Sequence, residues 1–123
     1  MRRERVPGDR RRCAWCGRPF DANVRGRPRR YCRHSCRQAA HVARRFAAQH
    51  GLGDDDVVVS RAVLEDLQSR LYCLRAALED VERDLARSSE PQDVAEALDW
   101  LVENVRPLVE VWVEPRAVEP GVG

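Results

Sequence analysis

The sequence contains no lysine, no isoleucine and no threonine. All twenty-two of its basic residues are arginine. This is the residue usage expected from a GC-rich genome, so arginine standing in for lysine carries no functional meaning by itself. Aromatic residues make up only 6% of the chain, which leaves little bulky material for a large core. No segment approaches the ~20 apolar residues of a membrane span, and no apolar run follows Met1-Arg2-Arg3 as it would in a signal peptide. These absences predict a cytoplasmic protein without membrane association, in a compartment where thiols stay reduced. Nucleophile motifs, glycine-rich phosphate loops and carboxylate pairs distinct from a solvated helix face are also missing. The expected function is therefore binding rather than catalysis, with no small-molecule substrate.

The formal charge of +2 over 123 residues hides a strong asymmetry. Residues 1–50 carry fifteen Arg against three acids, a balance of +12, and residues 51–123 carry seven Arg against seventeen acids, a balance of −10. A basic head of this density suits a polyphosphate partner, because each neutralised phosphate releases condensed counterions. The acidic remainder would repel the same partner, or fold back and screen the head.

The chain holds five cysteines, four of them in the pattern Cys-x2-Cys-x15-Cys-x3-Cys formed by Cys13, Cys16, Cys32 and Cys36. Four thiolates satisfy Zn²⁺ tetrahedrally at roughly 2.3 Å. A segment this short cannot bury enough apolar surface to fold alone, whereas structural zinc contributes on the order of 10 kcal/mol of folding free energy. One structural Zn²⁺ is therefore expected, with the head unfolded in its absence. His34 and His41 read as surface residues, and Cys73 as a small residue at a helix edge.

Gly17 supplies the positive φ that follows a zinc knuckle at Cys13-Ala14-Trp15-Cys16, and Phe20 is the expected apolar plug beneath the metal. Turn chemistry over residues 21–28 (Asp21, Asn23, Gly26, Pro28) predicts a β-hairpin whose second strand, Arg29 to Tyr31, returns Cys32 to Cys13. A helix should open at Ser35, with Gln38 completing a capping box, and stop at Gly51. Arg37, His41, Arg44 and Arg45 fall on one side of it, while Ala39, Ala43 and Phe46 can face the metal core.

From Leu64 onward the apolar residues Leu64, Leu67, Leu71, Leu74, Leu78, Val81 and Leu85 are spaced 3, 4, 3, 4, 3, 4, a heptad seam. Ser88-Ser89-Glu90-Pro91 interrupts it, and Ser89 with Gln92 suggests a second capping box. Val94, Leu98, Leu101, Val105, Leu108 and Trp112 then repeat the seam, with Pro107 expected to kink or end the helix. Two such helices should fold into an antiparallel hairpin.

The predicted organisation is a flexible basic arm (1–12), a zinc finger (13–51), a linker (52–59), an acidic helical hairpin (60–113, helices about 60–87 and 90–113) and a disordered tail (114–123). The fold class is a small α+β finger followed by an all-α hairpin.

Cys13-Ala14-Trp15-Cys16-Gly17-Arg18-Pro19-Phe20, with Arg30-Tyr31-Cys32 and Cys36-Arg37-Gln38, resembles the short bacterial four-cysteine fingers of treble-clef type. The resemblance spans about residues 12–46. It implies one zinc held by a knuckle pair, Cys13 and Cys16, and a helix pair, Cys32 and Cys36. Such fingers often carry Ser directly after the third cysteine. Arg33 stands there in this chain, which shifts the expected helix start to Ser35. A similar spacing occurs in small bacterial zinc proteins that inhibit DNA gyrase, although Gln38-Ala39-Ala40-His41 replaces the acidic and aromatic residues that usually follow their last cysteine.

The expected partner of the head is nucleic acid, DNA above all, bound through phosphates. Arg11, Arg12, Arg18, Arg29, Arg30, Arg33, Arg37, His41, Arg44 and Arg45 are the candidate contacts, with Arg10, Arg25 and Arg27 adding to the ring of cations. Trp15 is a candidate base-stacking residue. The alternative is an adaptor that docks a protein, a gyrase-inhibitor-like role included, since such folds serve both purposes. For the helices the expected partner is a second copy of the chain, forming a four-helix bundle over both seams, or another protein.

Overall fold

The computed structural model describes residues 10–22 and 28–121. The first nine residues of the expected basic arm, the turn positions Asn23 and Gly26, the cations Arg25 and Arg27, and the last two residues of the expected tail lie outside the described residues. The layout is α+β: a two-stranded antiparallel hairpin followed by three helices, of which the last two pack against each other. The chain divides into two compact units. One comprises the described residues up to Val59 together with those from Glu114 onward, and the other is Ser60–Val113.

In the first unit, β1 (Arg10–Arg12) pairs with β2 (Pro19–Asp21) in the register Arg11 to Phe20. Strand alternation turns Phe20 inward, where it is buried, while Pro19 and Asp21 on either side stay exposed. This corrects the expected hairpin. The tight turn between Cys13 and Arg18 already brings Arg12 beside Pro19, so the nearer segments pair. Arg10–Arg12, expected within a flexible arm, forms a strand, and Arg29 to Tyr31 forms none. Its tie to the knuckle is one backbone hydrogen bond, from Ala14 N to Arg30 O at 2.9 Å.

Helix α1 runs His34–His50. Its N-cap is Arg33, in extended conformation and without a side-chain cap bond, so the expected capping box of Ser35 and Gln38 does not form. Cys36 lies in the first turn with either start, here as the third helical residue. The other end follows the sequence: Gly51 adopts φ 70°, and both its N–H and that of Leu52 reach Ala47 O.

The segments expected as linker and tail both contribute to this unit. Gly53 N and Asp56 close a turn through the Asp56 carboxylate at 2.7 Å. Arg116 N donates to Val58 O at 2.7 Å, and Gln49 Nε2 donates to Gly121 O. Valines at 58 and 118 line a small cavity with Trp15, Phe46 and Leu52. The stretch 114–121, expected as a disordered tail, is thus tied to this unit by hydrogen bonds at Arg116 and Gly121.

In the second unit, α2 (Arg61–Arg87) opens on Ser60, whose hydroxyl accepts from Val63 N at 3.1 Å. α3 (Pro91–Val109) begins with Pro91 in its first turn. The second expected capping box is replaced by Ser88, whose hydroxyl accepts from Glu90 N at 3.2 Å and donates to Asp93 at 2.5 Å. α3 ends at Val109, two residues after Pro107, so Trp112 lies beyond the helix. The antiparallel pair is latched by Arg70, which bonds Asp66 on its own helix and Pro107 O on α3 at 2.7 Å. Ala77, Val81 and Ala97 are buried between the helices, with Leu67, Leu74, Leu101 and Leu108 half-buried. The remaining seam residues stay exposed, since one neighbouring helix covers only one side of a heptad stripe. No helix of the described residues is long and apolar enough to cross a membrane.

Candidate metal centre and basic groove

The knuckle is built by its backbone. Gly17, at φ 77°, donates to Cys13 O at 3.0 Å, and Cys13 N donates to Arg18 O at 2.9 Å. These bonds turn Cys13 and Cys16 to the same side. Cys32 arrives on the irregular segment before α1, and Cys36 projects from the helix's first turn.

The ligand atoms of Cys13, Cys16, Cys32 and Cys36 all lie within 4.8 Å of one another. Two sulfur separations, Cys16 to Cys32 and Cys32 to Cys36, are 3.7 Å. Thiolates about 2.3 Å from a tetrahedral ion stand about 3.8 Å apart, whereas disulfide sulfurs stand about 2.05 Å apart. The donor set therefore fits a tetrahedral ion, and all four thiols are free of disulfides. Cys13, Cys16 and Cys36 are buried, Cys32 is half-buried, and Phe20 and Ala22 complete the cluster, as expected for an apolar plug under a metal.

The surroundings prepare the sulfurs for a cation. Trp15 N and Cys32 N donate to Cys13 Sγ at 3.5 and 3.4 Å, and Arg33 Nε donates to Cys36 Sγ at 3.3 Å. Burial opposes ionisation of Cys13, but backbone N–H groups of Cys32, Cys16 and Trp15 together outweigh it and lower this thiol to about 6. Cys32 is pushed up to about 12, first by burial and then by the neighbouring sulfurs of Cys16, Cys36 and Cys13. Burial likewise raises Cys36, against the opposing bond from Arg33. Four sulfurs this close cannot all ionise on their own, and a divalent cation removes that conflict.

Beside the cluster lies a groove of about 650 Å³ lined by Arg29, Arg30, Arg33, Arg37 and Arg44, with Pro28, Tyr31 and His34. Helix periodicity places His34, Arg37 and Arg44 on one face of α1, and the segment before Cys32 supplies the opposite wall. The Arg30 guanidinium lies 5.8 Å from the Tyr31 ring centroid, and that of Arg29 lies 5.7 Å from Phe20. Half of the ten candidate phosphate contacts thus converge on one depression.

The others do not line it. Arg11 and Arg12 lie in β1, where Arg12 donates to Gly17 O, and His41 and Arg45 are exposed elsewhere on α1. Arg18 reaches Glu114 at 3.4 Å, and Arg33 reaches the same carboxylate at 3.3 Å. Trp15 is half-buried, packs on the cysteine cluster and lines the small cavity with Phe46 and Leu52, so its ring serves internal packing. Tyr31 and Glu114 are the neighbours that the sequence reading did not assign to the site. Tyr31 had a signal, standing directly before Cys32, whereas Glu114 is 96 residues from Arg18 and had none.

Compared with protein-family models, curated proteins and solved structures, the chain matches none.

Proposed function

We propose that the protein is a small zinc-dependent nucleic-acid-binding protein. One structural Zn²⁺, held by Cys13, Cys16, Cys32 and Cys36 in a treble-clef-like finger, orders a basic head that grips phosphates of DNA. The acidic helical hairpin serves assembly or partner contact. The role assigned to the metal is structural, because four thiolates fill a tetrahedral shell and leave no position for a reacting group.

The observation that carries this reading is the convergence of five guanidiniums on one groove beside the sulfur cluster. Guanidinium presents donors in a fork that matches phosphate, and several such contacts give useful affinity without base readout. The metal supports the groove from below, since Arg29 to Arg33 and the start of α1 both hang on cysteine ligands.

Titrating zinc-loaded protein with duplex and single-stranded DNA at several salt concentrations tests it. Log affinity should fall linearly with log salt at a slope of about −3 to −5, one increment of ~0.7–0.9 per phosphate neutralised. Absent binding, or binding indifferent to salt, would sink the nucleic-acid reading.

The adaptor reading, with a gyrase-inhibitor-like role among its forms, has one observation in its favour. Arg18 and Arg33 already hold a carboxylate, that of Glu114, so an acidic protein segment would suit the same groups. Capture of an acidic protein segment by a head that ignores DNA would favour it.

A further inference from the structure

The two helices of the second unit bury only part of their apolar surface. On α2 the covered positions are Leu67, Arg70, Leu74, Ala77, Asp80, Val81 and Asp84, and on α3 they are Ala97, Leu101, Asn104 and Leu108. Left outside are Leu64, Leu71, Leu78 and Leu85, each 39–47% exposed and recurring every seventh residue. On α3, Val94, Leu98 and Val105 are 36–57% exposed.

Heptad geometry fixes where these stripes point. The α2 leucines sit roughly 90° round the helix from the centre of its covered face, and Leu98 and Val105 sit roughly 80° round α3 from its own, in the same rotational sense. Because the helices are antiparallel, equal rotations in one sense carry both stripes to the same side of the pair. The hairpin therefore has one apolar broad face. Its opposite broad face carries Asp66, Asp93, Glu96 and Glu103, with Trp100 as its large apolar residue.

We infer that the apolar face is covered by a second copy of this chain, related by a two-fold axis perpendicular to the helices, closing an antiparallel four-helix bundle. The inference rests on the reading of the hairpin as an assembly element and is independent of what the head binds. Register is its first support. With Leu78 on the axis, Leu71 of one copy faces Leu85 of the other. The bond between Arg70 and Pro107 O sets the level of α3 against α2; eight residues along α2 and eight back along α3 lead to Leu78 and Asp99. An axis at that level places Val94 within one residue of Val105 of the other copy and Leu98 within two residues of its own counterpart. One axis thus satisfies both stripes.

Charge gives the second support. Arg75 and Glu82 flank the leucine stripe, and the same axis places Arg75 of each copy within one residue of Glu82 of the other. A parallel arrangement would set Arg75 against Arg75. In the single chain Arg75 reaches only Glu79, at 3.6 Å and with both side chains largely exposed, a weak tie that leaves it available to a second partner. Area gives the third. α3, at 19 residues, is about 28 Å long, and two packed helices are about 20 Å wide. The resulting face of about 600 Å², raised by side-chain relief, approaches the ~800 Å² per partner of a standard interface.

Sedimentation of the full-length, zinc-loaded protein over a range of micromolar concentrations provides the test. The expected mass is twice the 14.1 kDa of the chain. Leu78→Asp should raise the dimer dissociation constant about a hundredfold or more, with helical content retained because Leu78 lies off the surface between α2 and α3. Arg75→Glu and Glu82→Arg should each weaken self-association, and mixing the two variants should restore a dimer containing one of each. A monomer at every concentration, a larger assembly, or failure of the mixed variants to pair would overturn the inference. DNA binding of the same samples is read separately, so loss of one reading leaves the other standing.

Discussion

Arg33 donates through Nε to the sulfur of Cys36 at 3.3 Å while its Nη2 meets Glu114 at 3.3 Å. One side chain thus joins the metal cluster, the rim of the basic groove and the returning C-terminal segment. Replacing it should affect metal affinity before anything else. Arg33→Ala removes a donor to a ligand sulfur, and such outer contacts are worth 10- to 100-fold in metal affinity. Chelator competition should show a loss of about tenfold in zinc affinity.

Removing the metal should unfold the head and spare the hairpin. α1 contributes 17 helical residues against 27 in α2 and 19 in α3. Stripping zinc, or replacing Cys16 and Cys32 by Ser, should therefore cost about a quarter of the helical far-UV signal. Backbone NMR signals of the first unit should collapse while those of Ser60–Val113 keep their dispersion. An unchanged spectrum after chelation would contradict the structural role of the ion.

Metal affinity should rise with pH, and the sign follows from the thiols. Without metal in the folded cluster, Cys32 is raised to about 12 and Cys36 is raised as well, so both hold protons at neutral pH. The ion must displace them. Cys13, lowered to about 6, has already lost its proton there. Apparent affinity should fall at least about a hundredfold per pH unit on acidification, and more steeply where the metal-free head unfolds and its thiols regain ordinary values. Competition titrations at stepped pH measure this slope.

Within the head, the groove separates arginines that the sequence could not rank. Arg37→Gln and Arg44→Gln should each weaken DNA binding several-fold and reduce the salt slope by about one unit. Arg45→Gln, outside the groove, should do much less. Equal effects at Arg44 and Arg45 would point to a diffuse cationic field instead.

Gly51→Ala should destabilise the head by about 1 kcal/mol. The cause is backbone strain at φ 70°, because an added Cβ there meets nothing within 4 Å. A thermal melt of the zinc-loaded protein provides the measurement.

The sequence reading succeeded where chemistry imposes spacing. Four thiolates that must meet at one point leave a fixed pattern, and Gly17 and Gly51 both mark the positive φ that the chain requires. Heptad repeats likewise announced α2 and α3. It failed where the deciding partner is remote. Nothing local to Arg10–Arg12 reveals that the knuckle turn will set it against Pro19–Asp21, and Ser35, a good cap by residue type, lies inside α1 as its second residue. Which seam residues stay exposed was not legible, because periodicity gives the apolar stripe but not the number of neighbours covering it. The contacts of the last segment were not legible because Glu114 and Arg116 find partners 96 and 58 positions away.

The bond from Arg116 N to Val58 O, at 2.7 Å, pins the points where the chain departs for the helices and where it comes back. Everything from Ser60 to Val113 is consequently a detour whose two ends are already side by side, closed at a conformational cost that changes only slowly with its length. A handful of flexible residues joining Val59 to Glu114 could replace it, leaving the arginine-bearing module whole. Trimming the chain after the last helix, by contrast, would strip that module of its own stitching.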